Sequence, residues 1–383
     1  MISIYRRNFA QELPRLTPSV ETWAPRIVLN FARQHLEPEM AVSKNSERID
    51  RICKAAEAYF GEPVRDFSAP GGRGRASYRL TLSERSIIAT LRPNFRRTHL
   101  EAFTLRNLSQ HCDDTPQCLG VSGEIMFQSD VGGRRLNVEI ASVDALRQIE
   151  LAQEAVAAIF RVQSAGRSAK LQEALPHLGQ NDLWVENFVN SIDALKEFST
   201  GHSASVDRAG LCEMVAQPGQ QFVKWDCRSG NAAVAADHRL RWFDFEYSGV
   251  RHGAEDIAWL IGDEAWPLSG PAMQEIVEQS FDPQCGHKLD HYLDYLALYL
   301  TFHCVQRLKL IVKEARNRGW LSKRRVRKYD DAGVHPEFAI HLCKTGGYFA
   351  DRLSITAPIA RDFEEAEQVF LQILIDGHSR VSA

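Results

Sequence analysis

Between Val223 and Glu246 the chain reads VKWDCRSGNAAVAADHRLRWFDFE, and no other stretch limits the possible fold so strongly. Two short apolar runs, 232–235 and 240–243, flank the polar segment Ala236-Asp237-His238-Arg239. That pattern predicts two strands joined by a turn. A hairpin returns the chain to its starting point, so Asn231 at the entrance and Asp244 at the exit come side by side. Two oxygen ligands so placed suit a hard cation that keeps its other positions for water and phosphate. Asp226 precedes them in an Asp-x-x-x-x-Asn spacing, as a carboxylate able to orient a hydroxyl nucleophile. The combination points to phosphoryl transfer, which asks a protein mainly for positioning and for neutralisation of charge. A pair at this spacing arises by chance roughly once in a chain of this length, so the hairpin context carries the reading.

The N-terminal half supplies what such a site needs above the phosphates. Ala69-Pro70-Gly71-Gly72-Arg73-Gly74 lies between strand-like segments, and Ser77 to Leu82 alternates as a half-buried strand does. Gly71, Gly72 and Gly74 would let backbone amides approach a phosphate. Alone, the segment reads as a hairpin turn with no ligand. A β-branched run from Ser86 ends in Arg92, and a helix is expected from about Thr98. On that helix Glu101, Leu105 and Leu108 share a face, which points the carboxylate inward. An inward carboxylate needs a partner, and Arg92 is the natural one. The competing reading makes Glu101 the far end of a capping box with Thr98.

These residues resemble the aminoglycoside phosphotransferase and choline kinase group, small-molecule kinases with a protein-kinase-like fold. The family's His-Gly-Asp-x-x-x-x-Asn loop is met here by Lys224-Trp225-Asp226 and then Asn231, and its Asp-Phe-Glu by Asp244-Phe245-Glu246. SGVRHGAEDIAWL resembles the next family segment, with Asp256 where a carboxylate braces the catalytic loop. The resemblance implies an α+β, two-lobed architecture, with a small antiparallel β lobe and a larger, mainly helical one. It implies Asp226 as catalytic base, Asn231 and Asp244 on Mg2+, and Arg92, Glu101 and the glycine loop around ATP or GTP as co-substrate. Lys224 and Trp225 depart from the pattern. They favour the alternative of a pseudokinase-type binding or scaffolding protein; nucleotidyl transfer with the nucleotide reversed is a third reading.

The expected organisation is an extension with proline-punctuated helical pieces over 1–47, a nucleotide-binding lobe over 48–144, and a helical catalytic and substrate lobe over 145–383. The small lobe should close with a hairpin from Glu124 to Val143 turning at Gly132-Gly133, with a hinge over Asn137 to Asp144. With 46 basic and 49 acidic residues, a net charge of -3, nothing calls for nucleic acid or an anionic membrane as partner. Eight scattered cysteines without a Cys-x-x-Cys pair read as reduced thiols of a cytoplasmic protein, and His111, Cys112 and Cys118 lack a fourth ligand. No export signal is evident at the N-terminus. Tyr292 to Val312 should be an amphipathic helix, with His303 as a hydrogen-bonded core or groove residue. A monomer or homodimer acting on a small hydroxyl acceptor is expected. Asp263, Glu264, Trp266 and the helix after Asp290 are expected to line the acceptor site; the acidic residues would suit a cationic acceptor, whereas Arg251, His252 and the basic run that follows would suit an acidic or phosphorylated one. The basic run Lys323 to Lys328 is either solvated surface or a holder of phosphate or carboxylate at the cleft lip.

Overall fold

The structure, a computed structural model, describes residues 46–72, 75–216, 219–329 and 332–381. The architecture concerns residues 52–383 as one unit. Gly74 and nearly all of the expected N-terminal extension lie outside the described residues.

After a helix over 46–60 (α1) come the strands β1 (Asp66–Ser68), β2 (Ser77–Thr81) and β3 (Ser86–Leu91), then helix α2 (Phe95–Leu108), β4 (Cys118–Ser122) and β5 (Ile125–Ser129). They form one antiparallel sheet in the order β1-β2-β3-β5-β4. Strand alternation sorts its side chains. Ile87, Ala89 and Leu91 are buried on one face, where Phe127 meets Tyr59 and Phe60 at ring-centroid distances of 5.3 and 5.2 Å. Ile88, Thr90 and then Arg92 look the other way, into a cleft.

Two sequence expectations are corrected here. Helix α2 starts at Phe95, because the Asn94 side chain accepts a hydrogen bond from Arg96 N and caps the first turn. Thr98 is therefore inside the helix, its buried hydroxyl lacking a hydrogen-bond partner among the described residues, and cannot form a capping box with Glu101. The last hairpin turns at Gly123-Glu124, with Ser122 opposite Ile125, and Gly123 takes the left-handed φ of +59° that such a turn requires. Gly132-Gly133 belong to the segment leaving the sheet. The residues expected to form the returning strand instead make a short helix, α3 (Leu136–Glu139).

The remainder is mainly helical. In order come α4 (Ala145–Ser168), α5 (Leu171–Ala174), α6 (Asp182–Val189), α7 (Arg208–Ala216), the strands β6 (Gln221–Val223), β7 (Ala232–Val234), β8 (Leu240–Trp242) and β9 (Gly249–Arg251), then α8 (Ala254–Ile261), α9 (Gly270–Ser280), α10 (Leu289–Arg318), α11 (Lys323–Tyr329), α12 (Pro336–Ala350) and α13 (Ala357–Val381). The expected apolar stripe of α10, from Leu293 to Ile311, is buried throughout. His303 beside it is buried against Trp259, but its Nε2 has no hydrogen-bond partner among the described residues. No described helix is long and apolar enough to cross a membrane.

Candidate active site

The loop carrying Asp226 is suspended between β6 and β7 and held from behind. Asp256, at the start of α8, accepts hydrogen bonds from Lys224 N (3.0 Å) and Trp225 N (2.8 Å), and Gln163 of α4 donates to the same carboxylate at 2.9 Å. The Lys224 ammonium donates to the Asp226 carbonyl at 2.9 Å, so a lysine here supports the loop from its own chain. Trp225, Asp226 and Asp244 take left-handed φ values of 54°, 64° and 66°. Aspartate tolerates that region, but tryptophan does so at a steric cost of about 1–2 kcal/mol. Trp225 is held there by contact with Trp184 at 6.2 Å between centroids and by its indole N–H on the Tyr299 hydroxyl at 3.3 Å.

The Asp226 carboxylate accepts from Arg228 Nε at 2.7 Å and from Asn231 Nδ2 at 3.1 Å. Burial works against its charge, but the Arg228 guanidinium and the Lys224 ammonium outweigh it and hold its carboxyl below the usual aspartate value. It is an anion at neutral pH.

Strands β7 and β8 form the expected hairpin, with Ala232 opposite Trp242. A hydrogen bond from Phe243 N to Asn231 O, at 3.0 Å, draws the two ends together. Asn231 spends its amide N–H groups on Asp226, which leaves its carbonyl oxygen to face the cleft. Asp244 gives one carboxylate oxygen to Arg92 at 2.5 Å, its other oxygen receives no hydrogen bond among the described residues, and its side chain is 32% exposed. Two neutral-to-anionic oxygens at adjacent hairpin ends fit a magnesium ion, which prefers one or two protein oxygens plus water and phosphate.

Arg92 is the hub of the opposite wall. Its guanidinium pairs with Glu101 of α2, with Asp244, and with Glu246 at 2.9 Å. Glu101 also accepts from Phe245 N at 2.9 Å, so the helix carboxylate ties the sheet arginine to the segment after the hairpin. Burial opposes the charge on Arg92, but three carboxylates more than offset it and raise its pKa. With one cation shared among them, burial raises Glu101 and Glu246 above the usual glutamate value.

A cavity of about 880 Å³ lies between the sheet and the β7–β8 hairpin, with Asp226 just outside its lining. Gly71, Arg92, Glu101, Asn231 and Asp244 all border it. Gly72, at φ +94°, lies beside it with Tyr329 of α11 about 3.5 Å from where a β-carbon would stand. The roof is polar, with Ser77 and Thr90 hydroxyls 2.9 Å apart. Asp130, just after β5, accepts from Arg79 at 2.6 Å and from Ser86 at 2.7 Å, which fixes the segment leaving the sheet. Val234 N on Arg134 O (2.9 Å) then lays that segment against the hairpin.

Sequence reasoning missed Arg228, Glu246 and Asp130 as partners. The first two sit two residues from Asp226 and Asp244, a proximity that was the available signal. The expected acceptor groups are placed differently. Asp263 accepts from Ser229 N and Oγ at 2.8 and 2.5 Å, and Glu264 pairs with Arg307 at 2.6 Å, so both brace the protein. Trp266 is core, with its indole N–H on Met273 sulfur. Arg251 is buried against Glu255 at 2.6 Å, and His252 is buried beneath Tyr295.

No protein-family model matches the chain, and no curated protein does. Solved structures do. Spectinomycin phosphotransferase in complex with ADP and spectinomycin matches with a TM-score of 0.50 at 11% identity, over 83% of this chain and 98% of that one. Aminoglycoside 2'-phosphotransferase-IIIa in its GDP complex gives 0.49 at 14% identity, over 73% of this chain and 96% of that one. A choline/ethanolamine kinase family protein from Mesorhizobium loti gives 0.46 at 14% identity, over 77% and 90%. The chain thus resembles the spectinomycin phosphotransferase structure, and its fold is the two-lobed, protein-kinase-like α+β fold.

Proposed function

We propose that this protein is a small-molecule kinase that transfers the γ-phosphate of a magnesium-bound ATP or GTP to a hydroxyl group. The observation that carries the reading is the meeting of Asn231, Asp244 and the Arg92–Glu101 pair around one cleft, with Asp226 held just behind its wall by Asn231 and Arg228, from segments more than 120 residues apart in sequence. The resemblance to spectinomycin phosphotransferase supports the fold on which this depends.

Each residue has a definite task. Asp226, ionised and fixed by Arg228 and Asn231, orients the acceptor hydroxyl and takes its proton as the new O–P bond forms. The bond from the γ-phosphorus to the bridging oxygen breaks, and the nucleoside diphosphate leaves with that electron pair. Asn231 and Asp244 would hold magnesium, which when bound neutralises charge on the phosphates. Arg92 presents its cation toward the phosphates, kept in place by Glu101 and Glu246. Gly71 would bring its backbone amide near them, whereas Gly72 N is spent on Ala69 O at 2.9 Å. The hinge expected over Asn137 to Asp144 begins as a helix, Leu136–Glu139, so the main-chain edge for a nucleobase is assigned instead to Asp130 to Arg135, which line the cleft. In this reading 48–144 serves as the nucleotide lobe and 145–383 as the catalytic and substrate lobe.

One observation favours a second reading, nucleotide binding without turnover: Arg228 already occupies the Asp226 carboxylate. Transfer of label from a γ-labelled nucleotide to a panel of alcohols separates the two. Asp226→Asn should lower turnover about 10²- to 10⁴-fold while leaving nucleotide affinity nearly intact. Equal turnover in the variant and the wild type would remove Asp226 as the base.

A further inference from the structure

Three cations of the cleft, Arg324, Arg327 and Lys328, lie together on α11. Among the described residues, nine arginine and lysine side chains line the cavity against five carboxylates. Arg228 is matched by Asp226, just outside the lining. Arg79, Arg92 and Arg134 each pair with a carboxylate. Arg324, Arg327 and Lys328 pair with none among the described residues.

Helix α11 is held in position over the cleft. Buried Val326 anchors it, Asn137 of α3 donates to Arg327 O at 2.9 Å, and Arg75 donates to Tyr329 O at 3.2 Å. Its flanks are joined by Leu321 N on Val334 O at 2.8 Å, and Gly333 N donates to Glu264 at 2.6 Å. The half-buried Arg327 stacks on Phe338 at 5.2 Å, and its Nε, shielded from solvent, has no hydrogen-bond partner among the described residues. Burial lowers its pKa, although Asp263 and Glu337 oppose the shift, whereas Arg92, Arg161, Arg251 and Arg307, each facing a carboxylate, are raised. A buried donor without an acceptor is costly in the free protein, and an oxyanion at this position would satisfy it. The carboxylates that could have received a cationic acceptor, Asp263 and Glu264, are already committed within the protein.

We propose that Arg324, Arg327 and Lys328 form the binding site for a phosphate or carboxylate carried by the acceptor, so that the substrate is an anionic alcohol. The role of the bound anion as acceptor rests on the kinase reading above; the anion site itself does not. The same cations could instead grip the phosphates of the nucleotide, and the experiment has an arm for each source.

Calorimetry on the full chain, preloaded with magnesium and a non-hydrolysable ATP analogue, compares glycerol phosphate with glycerol and with ethanolamine as probes. Wild type should bind glycerol phosphate roughly tenfold or more tighter than either, with an affinity that falls as salt rises. Arg324→Glu combined with Lys328→Glu, both on the exposed side, should remove that preference and change nucleotide affinity by less than about threefold, while Arg327→Lys should retain part of it. Loss of nucleotide affinity as large as the loss of probe affinity would assign the cations to the nucleotide and overturn the proposal. So would tighter binding of ethanolamine. If wild type binds no nucleotide, the kinase reading fails separately. Glycerol phosphate binding to the nucleotide-free protein, lost in the double variant, would then still uphold the anion site, and its absence would remove it.

Discussion

Arg92 and Arg327 border the same cleft, and they differ in what faces them. Arg92, 7% exposed, is ringed by Glu101, Asp244 and Glu246. Arg327, half-buried, has an aromatic ring below it and, among the described residues, no ion pair and no hydrogen-bond partner for its Nε. A buried cation with its partners in place is a finished piece of structure, and one without them is a place where something else is meant to bind. In this molecule the Arg92 end of the cleft is internally paired, and the α11 end is the anion site proposed above.

The two arginines should therefore respond in opposite ways to loss of charge. Arg92→Met strands three carboxylates and should destabilise the protein by about 3–5 kcal/mol, measured by denaturant unfolding. Arg327→Met removes a cation that makes no ion pair among the described residues, keeps most of the packing on Phe338, and should change stability by less than about 1 kcal/mol in either direction. Comparable losses in both variants would erase the distinction.

Acid probes the fold elsewhere, because two histidines buried outside this cleft do not tolerate protons. Burial, helped by Arg307, lowers His303 to about 3, and burial lowers His341 to about 4. Both stay neutral in the fold but take up a proton when unfolded, with an ordinary value near 6.5. Their contribution is complete above pH 6.5 and is lost as the pH falls toward 3–4. Between pH 7 and 5 each should cost about 2 kcal/mol. His303→Gln should flatten part of that slope; an unchanged slope would show that His303 titrates normally. Asp226, held below the usual aspartate value, should stay ionised across this range, so turnover per folded molecule should not fall with it.

The smallest effect concerns the exposed end of α11. Arg324→Ala should alter stability by less than about 0.5 kcal/mol, because the side chain is exposed and makes no ion pair among the described residues. A larger loss would mean that Arg324 supports the helix.

What could be read from the sequence was local. The hairpin, the Asp226–Asn231 spacing and the inward Glu101 each depend on residues a few positions apart, and alternation or helical periodicity records them. Asp256 as the brace of the catalytic loop came from the resemblance, and the structure places it there. Asn94, preceded by Pro93, was a readable cap signal that was passed over, and Gly123 was a turn signal masked by the more conspicuous Gly132-Gly133. The placement of α11 was not readable, since it depends on meetings such as Arg75 with Tyr329 across 254 residues. Nor was the fate of Asp263 and Glu264. Acidic residues near a cleft look alike in sequence whether they face a ligand or, as here, a backbone amide and an arginine.

The most direct test of the completed end is a thermal-shift titration with ATP and GTP, with and without magnesium, on wild type and Asp244→Asn. A magnesium-dependent rise in the wild type that the variant lacks is expected, since Asp244 offers the carboxylate oxygen proposed for the metal. Flat curves for both nucleotides, or an equal rise in the variant, would contradict a magnesium-nucleotide site at Asn231 and Asp244.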